Sequence, residues 1–184
     1  MDKKLKLCIM GDGFVGKSSI KLRYFSNKFR ENTIPTILSS IESKKIYKDK
    51  IIDLIVYDTS GQEEYEAVAY NNISKCNYFI LVFAINSRNS MDQLYIILDE
   101  ITRIKKNSFY EIFLVGNKSD LNNQRKISLV EVKRISKKWD CKYIETSAKE
   151  NVNINELFNK IFDSFINRTE INIEKKRKKI CSLL

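Results

Sequence analysis

The chain has 184 residues, enough for one domain with a full core, and its 43% hydrophobic and 30% charged content is that of a globular protein. It contains no histidine, which excludes Ser-His-Asp and Cys-His catalysis and histidine metal sites. The net charge is +10, but half of it sits in one run, Lys175-Lys176-Arg177-Lys178-Lys179, which argues against a nucleic-acid surface spread over the body.

The first apolar run, residues 4–10, reads as a buried strand, with Leu5, Leu7, Cys8, Ile9 and Met10. Residues 17–27 then show helical spacing, through Ile20, Leu22 and Phe25. Between them lies Gly11-Asp12-Gly13-Phe14-Val15-Gly16-Lys17-Ser18, the G-x-x-x-x-G-K-S pattern of a phosphate-binding loop. Such a loop turns backbone N–H groups toward an anion, and glycine permits those turns. The following helix points its positive end at the same place. Lys17 supplies a mobile charge for the β- and γ-phosphates, and the Ser18 hydroxyl is a ligand for Mg²⁺. A plain strand-to-helix turn is the alternative, and the flanking elements count against it. The chain has only five glycines, and three of them (Gly11, Gly13, Gly16) lie in this loop.

Residues 28–40 form a polar connector around the single proline, Pro35, and Thr36. Residues 41–48 and 51–58 are β-rich, with Asp49-Lys50 expected as the hairpin turn. The second run ends in Asp58-Thr59-Ser60-Gly61-Gln62-Glu63, and an irregular polar stretch follows to about Cys76. Residues 78–85 read as a buried strand, too short to span a bilayer. Residues 90–106 read as a helix, and residues 112–116 as a strand ending in Asn117-Lys118-Ser119-Asp120. Ser128 caps a helix to about Trp139, with Glu131 completing a capping box. A short strand at 142–145 precedes Thr146-Ser147-Ala148-Lys149, and residues 155–167 form a last amphipathic helix. From Thr169 the pattern dissolves into a charged tail. Alternating strands and helices imply a mostly parallel sheet, whose ligands bind at the carboxyl ends of its strands. Every motif above sits at such an end. Four scattered cysteines (Cys8, Cys76, Cys141, Cys181) and a start unlike a signal peptide make a reducing cytosol the expectation.

Over residues 4–168 the chain resembles a Ras-superfamily small GTPase, and within it the Ras subfamily. The residues that carry the likeness are Gly11 to Ser18, Thr36, Asp58 to Gln62, Asn117 to Asp120 and Thr146 to Lys149. The resemblance implies an α/β P-loop NTPase fold: a mostly parallel six-stranded sheet with one antiparallel strand and helices on both faces. It divides the chain into a GTPase domain (1–168) and a flexible polybasic tail (169–184).

It also implies roles. Gly13, Phe14, Val15, Gly16, Lys17, Ser18 and Ser19 would line the phosphates. Ser18, Thr36 and Asp58 would hold Mg²⁺, Thr36 only in the GTP state. Lys17, Thr36, Gly61 and Gln62 would form the catalytic set, with Gly61 offering its N–H to the γ-phosphate and Gln62 orienting the attacking water. Asp120, an acceptor-only carboxylate, suits the N1–H and 2-amino donors of guanine, a donor pair that adenine lacks. Asn117 resembles the residue that holds the guanine N7 edge and ties loops together. Lys118 would lie over base and ribose, and the Ala148 N–H would meet guanine O6, with Ser147 and Lys149 supporting that loop. Phe29 matches an aromatic that packs on the base; its other reading is a core-capping aromatic.

Position 14 departs from the family, which usually has glycine or a small residue there. So does Leu38-Ser39-Ser40, which replaces the acidic pair of typical effector loops, and Thr33, which stands for the usual switch tyrosine. Both loop changes put the standard partners in doubt. Gly13 is kept, which leaves room for an arginine from an activating protein, and Arg30 is the nearest arginine of the chain's own. The expected partners are guanine nucleotide, an activating protein, an exchange factor and effectors, acting on a monomer.

The last four residues, Cys181-Ser182-Leu183-Leu184, have the form of a geranylgeranylation box at Cys181. Beside Lys175 to Lys179, a lipid there gives the two signals that stable anchoring needs. The expectation is a lipid-anchored protein on the cytoplasmic face of a membrane, the plasma membrane first. A GTP-binding interaction module with negligible hydrolysis is the alternative to the enzyme.

Overall fold

A computed structural model describes residues 4–31, 39–58 and 66–181. Thr33, Pro35, Thr36, Leu38, Gly61 and Gln62 lie outside these residues, so the expectations placed on them have no structural counterpart here. The elements run β1 (Lys4–Met10), α1 (Lys17–Ser26), β2 (Ser39–Tyr47), β3 (Lys50–Asp58), α2 (Glu66–Lys75), β4 (Tyr78–Ala84), α3 (Arg88–Lys105), β5 (Glu111–Asn117), α4 (Leu129–Lys138), β6 (Lys142–Glu145) and α5 (Ile154–Cys181). A short 3₁₀ helix, Ser119–Gln124, follows β5.

The strands form one six-stranded sheet in the order β2-β3-β1-β4-β5-β6. Only β2 runs antiparallel to its neighbour, β3. The other pairs are parallel. This is the expected α/β P-loop sheet. Alternation along the strands decides which face each side chain covers. Leu5, Leu7 and Ile9 of β1 join Leu54, Val56, Ile80 and Val82 in a core that α1 and α5 close with Ile20, Leu157, Phe158 and Phe162. The intervening Cys8 and Met10 join Phe79, Leu81 and Phe83 in a second core, closed by Ile73, Met91, Leu94, Val132 and Ile135. Both faces of β1 and β4 are therefore buried, which explains their nearly unbroken apolar runs.

Several boundaries differ from the sequence reading, most by one or two residues. The hairpin turn is Lys48-Asp49, one residue earlier than expected, with Tyr47 paired to Lys50. Both turn residues have positive φ (48° and 59°), as a two-residue hairpin loop of the tight type requires. The stretch expected to be irregular before Cys76 holds α2, in which Ile73 is fully buried. The last helix does not end near Asn167 but continues to Cys181. Residues 168–181 hold neither glycine nor proline to stop it. Ser128 does cap α4, its hydroxyl accepting from the Glu131 N–H at 3.2 Å. The Glu131 carboxylate itself goes to Arg88 (2.5 Å).

Candidate functional site

The chain leaves β1 at Met10 and enters α1 at Lys17, so residues 11–16 curl at the carboxyl edge of the sheet. Two glycines are obligatory there. Gly11 has φ 146°, and a Cβ on it would meet the Val82 carbonyl oxygen at 2.2 Å. Gly16 has φ 97°, and a Cβ on it would meet the Asn117 side-chain nitrogen at 2.3 Å. Gly13 has open space around its Cβ position. Phe14 takes a left-handed φ of 59° and is 74% exposed, an uncommon conformation for a bulky residue. Val15 is buried in the core behind the loop.

Lys17 is buried at the base of the loop, and its ammonium donates to the Gly11 carbonyl (2.9 Å) and the Asp12 carbonyl (2.7 Å). Burial pushes its pKa down, against the opposing charges of Asp58 and Asp12. The Asp12 carboxylate accepts from the Gly13 N–H (2.7 Å) and from Asn89 of α3 (3.0 Å).

Asp58 ends β3 beside Ile9 of β1 and is fully buried. The Lys21 ammonium lies 2.7 Å from Asp58 Oδ2. Among the described residues neither carboxylate oxygen has a hydrogen-bond partner. Ser18 stands three residues before Lys21 and so shares its face of α1. Such a donor set fits Mg²⁺, which takes one or two carboxylate or hydroxyl ligands and completes its shell with phosphate and water. No group of three or more acidic or cysteine side chains able to cage a metal occurs among the described residues.

The other edge of the site is built on Asn117, the last residue of β5. Its amide nitrogen donates to the Val15 carbonyl (2.8 Å), and its oxygen accepts from the Thr146 hydroxyl (3.0 Å) and the Ala148 N–H (3.3 Å). Asn117 thus joins the glycine loop to residues 146–149. The Ala148 N–H is spent within the protein on a long bond. Lys118 has a left-handed φ of 65°, and burial lowers its pKa against the pull of Asp120. Asp120 accepts from the Ser147 hydroxyl (2.5 Å), which in turn accepts from the Glu150 N–H (3.0 Å).

An open cavity of about 330 Å³ joins the two edges. Phe14, Gly16 and Ser19 line one end of it, and Asn117, Lys118, Asp120, Ala148 and Lys149 the other, with Phe29 and Arg30 between. Phe29 also packs against the first core, as its core-capping reading has it. Of the described candidates, Gly13, Val15, Lys17, Ser18, Asp58 and Ser147 do not line this cavity. The side chain of Cys181 is not among the described ones; its backbone ends α5.

Sequence reasoning missed two residues here. Arg23 of α1 donates to the carbonyls of Ala148 and Lys149 (both 2.8 Å) and lies over the Phe29 ring. Lys21 enters the Asp58 pocket. A helical register placing Lys17, Lys21 and Arg23 near the loop was visible, but their partners are far away along the chain.

A family model described as the Ras family matches residues 6–167. The chain is similar to the Ras-like protein RAS2 of Hydra vulgaris, 33% identical over 97% of this chain and 93% of that one. It is also similar to two Dictyostelium discoideum proteins. The Ras-like protein rasZ is 35% identical over 95% of this chain and 82% of the relative. The Ras-like protein rasX is 37% identical over 84% and 73%.

Proposed function

The chain belongs to the Ras family of small GTPases, and from that premise we propose that it is a Mg²⁺-dependent, lipid-anchored signalling switch. It binds guanine nucleotide and hydrolyses GTP. The observation that carries the assignment to residues is the Asn117 bracket, which brings the loop at 11–16 and the loop at 146–149 to the two ends of one cavity.

At the phosphate end, Gly16 and its neighbours present backbone N–H groups at the start of α1. The buried Lys17 ammonium lies on the Gly11 and Asp12 carbonyls, and a triphosphate would exchange these for phosphate oxygens. Ser18, Asp58 and, in the GTP state, Thr36 would hold Mg²⁺, whose charge would neutralise the β- and γ-phosphates. Gln62 positions the attacking water, and the Gly61 N–H holds the γ-phosphate. At the base end, Asp120 is fixed by Ser147 to accept from guanine. Loss of the γ-phosphate releases the loops carrying Thr36 and Gly61, which is the switch. Arg30 is the nearest arginine among the described residues and matches no γ-phosphate role in the family pattern, so an activating protein is the source of acceleration. The partners are that protein, an exchange factor and effectors that tolerate Leu38-Ser39-Ser40. The basic run and Cys181 take the chain to the cytoplasmic face of an anionic membrane, the plasma membrane first, as a monomer.

The deciding measurement is release of a fluorescent GDP analogue with and without Mg²⁺, in competition with GTP and ATP. Displacement by GTP alone is expected, and displacement by ATP removes the role given to Asp120. For the chemical step, Gln62→Leu is expected to lower the single-turnover rate by about a hundredfold, the low end for a positioned catalytic group. An unchanged rate removes Gln62 from the mechanism.

A further inference from the structure

The carboxylate that reaches toward the metal position shares its pocket with a lysine. Asp58 is fully buried, and the Lys21 ammonium stands 2.7 Å from its Oδ2, with the Lys21 side chain only 11% exposed. A buried carboxylate with no counter-charge costs several kcal/mol. The hydrogen bonds that would offset that cost are absent among the described residues. The charges facing Asp58 are those of Lys21 and, one helical turn earlier, Lys17, whose ammonium is held by the Gly11 and Asp12 carbonyls. Among the described residues, Lys21 is therefore the cation in contact with Asp58.

We infer that Lys21 is a built-in counter-ion that competes with Mg²⁺ for Asp58, weakening the metal's hold and supporting the protein when the metal leaves. This deepens the GTPase reading and rests on it. Two positive groups cannot both lie against one carboxylate without repulsion, and the pocket's low polarity enlarges that repulsion. When Mg²⁺ is bound, the four-carbon stem of Lys21 swings or shares the carboxylate. When Mg²⁺ departs, the ammonium closes on Asp58 and spares the pocket an unpaired charge. Nucleotide release from this chain then depends less on Mg²⁺ than it would with an uncharged residue at position 21.

The test is release of the fluorescent GDP analogue across a Mg²⁺ titration, on the full chain and its Lys21→Met and Lys21→Gln variants. The Mg²⁺ concentration giving half-maximal slowing is expected to fall about tenfold or more in both variants, the scale on which partners of a metal's ligands tune affinity. Lys21→Gln keeps a polar side chain in the pocket and serves where Met fails to fold. In chelator, Lys21→Met is expected to melt at a lower temperature than the parent, and Lys21→Met combined with Asp58→Asn to recover that loss. A half-maximal Mg²⁺ concentration that is the same in the parent and a folded variant overturns the role of Lys21 and leaves the GTPase reading intact. Release that ignores Mg²⁺ in every form overturns both.

Discussion

Phe14 is the residue most at odds with its surroundings. Its φ of 59° suits glycine, and its side chain is 74% exposed, so little burial offsets the strain. A bulky residue in this region stores about 1 kcal/mol or more. Phe14→Gly is therefore expected to raise the unfolding free energy by about 1 kcal/mol, read by urea denaturation, and to slow GDP release. A lower stability or faster release removes strain as the description of this position. The motif residues were legible in the sequence because their chemistry is carried by short fixed spacings: Gly11 to Ser18 around one turn, Asn117 to Asp120 at one strand end. Lys21, Arg23 and the Asp12–Asn89 contact were not, since each depends on a partner that only the folded sheet brings near. Arg23 meets Ala148 across 125 positions of sequence. No local pattern encodes that distance.

Elements were legible where apolar residues recur with a period, and not where tertiary packing decides. β4 declares itself by seven buried residues in succession, Tyr78 to Ala84. In α2, among the side chains described, Ile73 and Asn72 are the buried ones, and they leave no period to read. The hairpin turn moved by one residue because Lys48 and Asp49 accept left-handed backbone that neither residue type signals strongly. A cross-element tie gives a test at this scale. Arg125, just past the 3₁₀ helix, grips Glu145 at the end of β6 with two contacts of 2.8 Å, and the Tyr143 hydroxyl donates to the same carboxylate at 2.5 Å. Burial alone would raise the Glu145 pKa; the Arg125 and Tyr143 hydrogen bonds outweigh it and hold the carboxyl below its ordinary 4.5. A depressed folded-state pKa gives stability that is present above the unfolded value and lost as pH falls through the folded one. The parent is expected to lose more stability between roughly pH 6 and pH 3 than Arg125→Gln does, measured by urea unfolding. Equal losses remove this tie as a source of acid sensitivity.

At the scale of the whole molecule, the β2–β3 hairpin is tied to α5 by Lys48–Asp163 (2.6 Å) and by Lys50–Glu170. α5 in turn carries the backbone on to Cys181. Removing residues 169–184 takes away Glu170 and the basic run but leaves the cavity residues in place. That truncation is expected to keep GDP affinity and lose binding to vesicles containing anionic lipid. The prenylated full chain is expected to bind them more weakly as salt rises, because the basic run acts through screened charge. Vesicle binding by the truncated chain removes the tail as the anchor. The Asn117 bracket also carries a kinetic corollary. Hydrogen bonds within the protein already hold the glycine loop against residues 146–149, so a ligand arriving at these walls finds them assembled and loses no entropy in ordering them. Capture on this side is then an encounter with a formed cradle, and its speed varies little among ligands that fit. Most of the difference in affinity among guests that fit is then expected in how fast they escape.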